Sequence, residues 1–191
     1  MSLVSAADVL TPPLRQQLLQ LAAQSIEKGL RGEILKVRAA DCPEALRTAR
    51  ATFVTLQVDG RLRGCIGTRE ARRPLVEDVI DNAYSAAFRD TRFTALTRFE
   101  YESLDIHISI LSPPEPLEFD SESDLIAQLR PQVDGLILEE GLHRGTFLPA
   151  VWESLPTPSE FLRHLKVKAG LDPDYWSSGI RIQRYTAETI P

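Results

Sequence analysis

Cysteine is scarce in this chain, and the usual spacings of metal ligands are missing. Only two cysteines, Cys42 and Cys65, occur among its 191 residues. So few cysteines are typical of a reducing compartment, and we expect both to be free thiols. The three histidines are scattered, and neither CxxC nor HxxxH occurs. The sequence therefore predicts no metal site.

Nucleotide-binding and hydrolase motifs are also missing. The chain contains no G-x-x-x-x-G-K-[ST], no G-x-G-x-x-G and no G-x-S-x-G. These patterns mark phosphate-binding loops, dinucleotide-binding units and activated serines. We therefore expect no resident cofactor.

Long apolar runs and an excess of positive charge are lacking as well. No run approaches the roughly 20 residues that span a bilayer, and the first ten residues do not resemble a signal peptide. The formal net charge of -5 argues against a nucleic-acid-binding surface. We predict a cytoplasmic protein without membrane or nucleic-acid partners.

The elements that are present indicate one α+β domain. Helical spacing follows Pro12 and Pro74, and a capping box opens a third helix at Thr157. Alternating segments predict a hairpin at residues 51–68, a strand at 104–111 with Ile106, Ile108 and Ile110 buried, a second hairpin at 134–148 and a strand around Ile180 and Ile182 before a polar tail. Hairpins mixed with helices predict a largely antiparallel sheet of about five to seven strands with flanking helices, in a single domain over residues 1–191.

The first hairpin is the most distinctive segment. Asp59 and Gly60 separate two alternating runs, which predicts a two-residue turn. Regular alternation would place Arg63, Cys65 and Gly67 on one face of the second strand and Leu62, Gly64 and Ile66 on the other. We expect Val54, Leu56, Leu62 and Ile66 to help line a buried face. Glycine inside a strand indicates a bulge, a bend or the close approach of a ligand, so Gly64 and Gly67 are predicted to leave room around the thiol.

Cys65 is the candidate catalytic residue, and Arg63 is close enough along the strand to stabilise a thiolate. The alternative is a small, inert apolar side chain. A binding site at residues 63–67, with Arg63, Gly64 and Gly67 as binding residues, is the other functional interpretation. Asp105, His107 and Ser109 do not form a triad, because side chains on the same face of one strand stand about 7 Å apart.

Other segments supply candidate walls for this site. We expect Asp90 and Arg92, after the second helix, to form one wall; the alternative is a helix-exit salt bridge with Phe93 as a packed anchor. His143, a candidate base, and Thr146, a binding candidate, would form another wall from the second hairpin; the alternative is a solvent-facing strand edge.

Several segments together resemble the AMMECR-type domain family. They are the RGCIG sequence within LRGCIG at residues 62–67, NAYSAAFRDTRF at 82–93, ISILSP at 108–113, GTFLP at 145–149 and FLRHLKVKAG at 161–170. The resemblance keeps the order and spacing of these segments and covers residues 14–185. The bacterial form of the family is called AmmeMemoRadiSam system protein A.

The resemblance implies a cytosolic α+β domain that is associated with a Memo-type protein and a radical-SAM protein. It supplies no reaction. With two cysteines the chain lacks a radical-SAM cysteine triplet, so such chemistry would belong to a partner. Two functions follow: a recognition module holding a small ligand or a protein at residues 63–67, or an enzyme that uses Cys65 as nucleophile or redox thiol. Whether the chain is an enzyme stays open at this point.

Overall fold

The computed structural model describes residues 10–191, which divide into two compact units. The first unit comprises the described residues up to Leu111 together with Glu188–Pro191, and the second comprises Ser112–Ala187. Each unit has its own sheet and its own apolar core. The α+β class and the antiparallel pairing are confirmed, with eight described strands in two sheets rather than five to seven in one.

The first unit packs helices on a four-stranded sheet with the order β2-β1-β3-β8. Its elements are α1 (Pro12–Gly29), α2 (Glu44–Arg47), β1 (Thr52–Val58), β2 (Arg61–Gly67), α3 (Leu75–Phe88), α4 (Arg98–Tyr101), β3 (Leu104–Leu111) and β8 (Ala187–Ile190), with a 3₁₀ turn at Ala39–Asp41. Leu18, Ile26, Val54, Val79 and Ile108 are fully buried in its core. The helical and alternating patterns of the sequence therefore place their apolar faces as expected.

The second unit contains the sheet β4-β7-β5-β6. Its elements are β4 (Glu115–Leu117), α5 (Glu122–Gln128), β5 (Gly135–Glu140), β6 (His143–Phe147), α6 (Pro158–Ala169) and β7 (Arg181–Tyr185), with a 3₁₀ turn at Pro149–Glu153. The rings of Trp152 and Phe161 stack in the core with centroids 3.8 Å apart. The Thr157 hydroxyl accepts a hydrogen bond from the Glu160 amide and caps α6, which ends at Gly170 in the left-handed region.

The predicted turn of the first hairpin is confirmed. Val58 pairs with Arg61, and the two residues between them have positive φ angles, 52° at Asp59 and 71° at Gly60. Two positive φ angles match the right-handed twist of the flanking strands. The strand leaving this turn is β2, which lies at the edge of its sheet.

A bulge in β2 makes one expectation about this hairpin wrong. Gly64 pairs with Leu56 but Leu62 pairs with Gln57, so Arg63 is an extra residue in the strand. Paired residues point to the same face, so Leu62 joins the face of Gln57 instead of the apolar face. Its side chain is 46% exposed. Val54 and Leu56 are buried and Ile66 packs against the core, as predicted.

The polar tail of the sequence also forms a strand. Residues Ala187–Ile190 make β8 beside β3, with a hydrogen bond between the hydroxyls of Ser109 and Thr189. Ile190 is buried in the core of the first unit. Two of its four residues are polar, so the alternation of apolar residues did not predict this edge strand.

Candidate functional site

The Arg63 side chain is fixed by several contacts. Its Nε donates to Glu100 Oε1 at 2.7 Å, and its Nη2 donates to Glu100 Oε2 at 3.1 Å and to the Thr94 carbonyl at 3.0 Å. The guanidinium lies 5.7 Å from the ring centroid of Phe93. The side chain is only 11% exposed. Arg63 is therefore a rigid, largely buried cation.

Glu100 is held in the ionised form by these contacts. Its hydrogen bond with Arg63 lowers the pKa of the carboxyl to about 2, with further help from the amide and hydroxyl of Thr97. Thr97 and Glu100 also form a reciprocal capping box at the start of α4. The short helix thus presents one carboxylate to the bulged arginine of β2.

Asp90 and Arg92 bind the backbone of Cys65 at the free edge of β2. Asp90 Oδ2 accepts from the Cys65 amide at 2.9 Å, and Arg92 Nη2 donates to the Cys65 carbonyl at 3.2 Å. The two side chains also pair with each other at 2.7 Å. The hydrogen bond from Arg92 lowers the pKa of the buried Asp90 carboxyl, as does the bond from the Cys65 amide. The structure therefore brings both residues to Cys65, and the predicted helix-exit salt bridge is present as well.

The Cys65 thiol is free, half-buried and close to the Thr55 hydroxyl, with 3.3 Å between Sγ and Oγ1. Cys65 pairs with Thr55 on β1, and Thr55 pairs with His107 on β3. His107 is therefore two strands away from the thiol, a separation of about 10 Å. Cys42, near α2, is also a free thiol, and desolvation raises its pKa.

The two glycines around Cys65 make room for the protein's own atoms. A Cβ on Gly64 would lie 2.2 Å from the carbonyl oxygen of Ala86 in α3, so this glycine allows the helix to approach the sheet. A Cβ on Gly67 would lie 2.3 Å from the ring of Phe53. Close packing against a helix and against an aromatic ring accounts for both glycines without a ligand.

His143 and Thr146 lie on β6 of the second unit. His143 is exposed, and its Nδ1 is 3.2 Å from the Ala169 carbonyl oxygen. Thr146 is buried and pairs with Ile137. Their predicted place in one cleft with Cys65 stays a prediction.

Comparison with known proteins shows the family of this chain. A sequence profile of the AMMECR1 family matches residues 19–190. The chain belongs to the AMMECR1 family.

Three relatives each cover three quarters or more of the chain. A protein from Methanothermobacter thermautotrophicus is 40% identical over 177 residues, which cover 90% of each sequence. A protein from Thermotoga maritima is 42% identical over 149 residues, which cover 76% of this chain and 80% of that protein. The crystal structure of an uncharacterized protein from Pyrococcus horikoshii has a TM-score of 0.82 at 33% identity and covers 94% of this chain and 92% of that one. The family is therefore shown by the sequence profile, and the fold by its match to the solved structure.

This AMMECR1 chain also contains a buried polar cluster that was not predicted from the sequence. The Asp78 carboxylate on α3 accepts hydrogen bonds from Thr52, Thr68, Asn82 and Arg73 at 2.7 to 2.9 Å. The cluster joins the start of β1 and the end of β2 to α3. One sequence feature indicates this cluster. Asp78 and Asn82 lie one helical turn apart on the face of α3 that carries the buried Leu75 and Val79.

Proposed function

We propose that this protein is a non-catalytic, cytoplasmic recognition module. In this proposal it works with Memo-type and radical-SAM partner proteins and holds a small ligand or a partner's side chain at residues 63–67. The association with those partners and the cytoplasmic location rest on the family resemblance. The binding role rests on Arg63.

The observation that supports binding is the unused nitrogen of Arg63. Nη1 is buried and has no hydrogen-bond partner among residues 10–191, whereas Nε and Nη2 are both engaged. Guanidinium keeps its charge at any physiological pH. A buried donor without a partner costs roughly 1–3 kcal/mol, and more when it is charged. A carboxylate, phosphate or carbonyl oxygen from a ligand would remove this cost.

The surroundings of Cys65 favour recognition over catalysis. A thiol nucleophile needs a base within about 3 Å or a neighbouring cation that lowers its pKa. Among residues 10–191 the side chain that hydrogen-bonds with Sγ is the Thr55 hydroxyl, which is not a base at neutral pH. Arg63 and Arg92 are already paired with Glu100 and Asp90, so their charges are largely neutralised.

An enzyme that uses Cys65 as nucleophile or redox thiol is the second candidate. It is favoured by the free, half-buried thiol on a strand whose backbone is fixed by Asp90 and Arg92. The alkylation rate of Cys65 against pH separates the two proposals, with Cys42→Ser as the background. An inflection below pH 7 would support the enzyme, whereas an inflection at or above the ordinary value near 8.5 supports recognition.

Affinity capture from native lysate tests the recognition proposal. The wild-type chain is compared with Arg63→Lys, which keeps a cation beside Glu100 but removes Nη1, and bound proteins and small molecules are identified by mass spectrometry. Arg89→Lys is the matched control, because Arg89 is exposed and its guanidinium lies over Tyr84, 5.0 Å from the ring centroid. We expect Arg63→Lys to lose captured material that Arg89→Lys retains.

Two results would count against this function. Equal capture by wild type and Arg63→Lys would show that Nη1 contacts no ligand. The same proteins captured from a lysate of cells that lack the Memo-type and radical-SAM proteins would refute the partner assignment. That result would leave the binding role intact. Thermal melting of each variant excludes unfolding as the cause of lost capture.

A further inference from the structure

A second candidate site lies entirely within the second unit. A cavity of about 570 Å³ opens between the segment that follows β4 and the loop that precedes β7. Its volume falls in the range of roughly 300–1,000 Å³ that small-molecule sites occupy. None of its lining residues belongs to the region around Arg63 and Cys65.

An aromatic pair forms one side of the cavity. The rings of Phe119 and Trp176 are tilted against each other with centroids 5.7 Å apart. Lys166 lies over Trp176, with Nζ 5.7 Å from the ring centroid, and is itself paired with Glu122. Trp176 is thereby in contact with both a buried cation and the ring of Phe119.

The loop that carries Trp176 is fixed by a carboxylate outside the cavity lining. Glu140 Oε1 accepts from the Tyr175 hydroxyl at 2.9 Å and from the Ser177 hydroxyl at 2.7 Å. These two hydrogen bonds lower the pKa of the Glu140 carboxyl, Ser177 contributing most. Gly179 allows the approach, because a Cβ there would lie 2.7 Å from Glu140 Oε2. The wall is thus built before any ligand arrives.

The charge of the lining is unbalanced. Three carboxylates, Glu118, Asp120 and Glu139, face one guanidinium, Arg181. Glu139 is offset by Arg144, with 3.2 Å between the charged atoms, and lies opposite Arg181 in the β5–β7 pairing. Within residues 10–191 the carboxylates of Glu118 and Asp120 have no ion-pair or hydrogen-bond partner. Two negative charges therefore remain beside the aromatic pair.

We propose that this cavity binds an organic cation, a protonated amine or guanidinium on an aliphatic chain. The free carboxylates of Glu118 and Asp120 would pair with the charge, and the ring of Trp176 would contact the adjoining methylene groups. A free polyamine and a lysine or arginine side chain of a partner share this chemistry. The site is independent of the proposed function at residues 63–67.

Nuclear magnetic resonance of the two indole N–H groups tests the proposal on the full chain. Trp152 is buried, and its Nε1 donates to the Asp134 carbonyl at 2.7 Å, so its signal reports folding. Trp176 lines the cavity, and Trp176→Phe assigns its signal. The probes are spermidine, for a free amine, and the capped peptide glycine–lysine–glycine, for a side chain. The capped peptide with norleucine in place of lysine is the neutral control.

We expect the Trp176 signal to shift saturably with spermidine, the lysine peptide or both, while the Trp152 signal stays in place. The double variant Glu118→Gln, Asp120→Asn removes both ion pairs and should weaken binding about tenfold. Glu153→Gln, an exposed change outside the cavity, should leave binding unchanged. The stronger of the two cationic probes identifies the source of the ligand.

Three results would overturn the inference. They are the absence of a saturable shift with either cationic probe, equal binding of the norleucine peptide, and unchanged affinity in the double variant. Spermidine binding that persists in the double variant would assign the effect to the general negative charge of the protein. None of these outcomes depends on Arg63, so failure here leaves the recognition proposal untouched.

Discussion

Replacing Asp78 by asparagine should destabilise the first unit and loosen the strand that carries Cys65. Asp78 is 1% exposed, and its Oδ2 accepts from the Thr52 amide, the Thr52 and Thr68 hydroxyls and the Asn82 amide group. Its Oδ1 accepts from Arg73 Nε at 2.7 Å. Asparagine keeps one acceptor oxygen, and its NH₂ group must face either Arg73 or the four donors at the other position. The variant therefore loses the charge and leaves at least one donor without an acceptor.

The size of the effect follows from burial. Removing one member of a buried ion pair costs about 3–5 kcal/mol. The Arg73 side chain is 34% exposed and can be rehydrated, which places Asp78→Asn near the lower end, about 3 kcal/mol. A loss of that size corresponds to a melting temperature lower by roughly 6–12 °C in a chain of this length. Asp81→Asn is the matched control: Asp81 pairs with the same arginine at 3.0 Å but is 46% exposed, so it should cost less than about 1 kcal/mol.

Hydrogen exchange measured by mass spectrometry is the assay for this comparison. Both tryptophans lie in the second unit, so their fluorescence would not follow the first unit. Amide protection in peptides covering residues 52–68 should fall by roughly a hundredfold in Asp78→Asn if opening is limited by unfolding of this unit. Loss of less than about tenfold, or an equal loss in Asp81→Asn, would refute the reasoning that the buried carboxylate holds β1 and β2 to α3.

Three further predictions concern the hairpin and its anchor. Gly60→Val should lower stability by on the order of 1 kcal/mol or more, because Gly60 has φ of 71°, and Gly60→Asn should cost less. Equal melting temperatures for the wild type and both variants would contradict the turn geometry. Gly64→Ala should cost about 1–3 kcal/mol in urea unfolding, because its Cβ would meet Ala86 O at 2.2 Å, and a neutral result would show that α3 moves freely. Glu100→Gln should cost about 2 kcal/mol of stability above pH 5. The difference in stability from the wild type should vanish toward pH 2, because the pKa of Glu100 in the folded protein is lowered to about 2 and its ion pair is lost as the pH falls through that value. A pH-independent difference in urea unfolding would contradict the last of these.

The sequence predicted the elements of this fold well where local chemistry decides them. The Asp59–Gly60 turn, the apolar stripe of α3 and the hydroxyl cap of α6 at Thr157 all depend on residues within one turn or one hairpin, although the Glu160 carboxylate accepts from the Thr157 hydroxyl and the reciprocal half of the predicted capping box is not formed. Their signals are short-range, and the structure shows each of them. Edge strands are different: half of the positions in β8 are polar, and the strand is defined by its place beside β3.

The details of the candidate site depended on contacts that are distant in sequence. The bulge at Arg63 does not interrupt the alternation of apolar and polar residues in the sequence, so it could not be predicted from it. The carboxylate that binds Arg63 belongs to Glu100, 37 residues away in the chain. Gly64 suggested space for a ligand, but the space is filled by the backbone of α3 at Ala86. The sequence predicted that Arg63, Cys65, Asp90 and Arg92 lie near one another. Only the structure shows which atoms of these residues form hydrogen bonds and with which partners.

The Asp90–Arg92 pair explains why a site on β2 would act through side chains rather than through its backbone. An edge strand normally offers free N–H and C=O groups to another chain. At Cys65 both groups are already bound, the amide by Asp90 and the carbonyl by Arg92. A partner strand could add here only by displacing a paired and buried carboxylate, which would be costly. The groups that remain at this point of β2 are the half-buried thiol and Arg63 Nη1, which has no hydrogen-bond partner among residues 10–191.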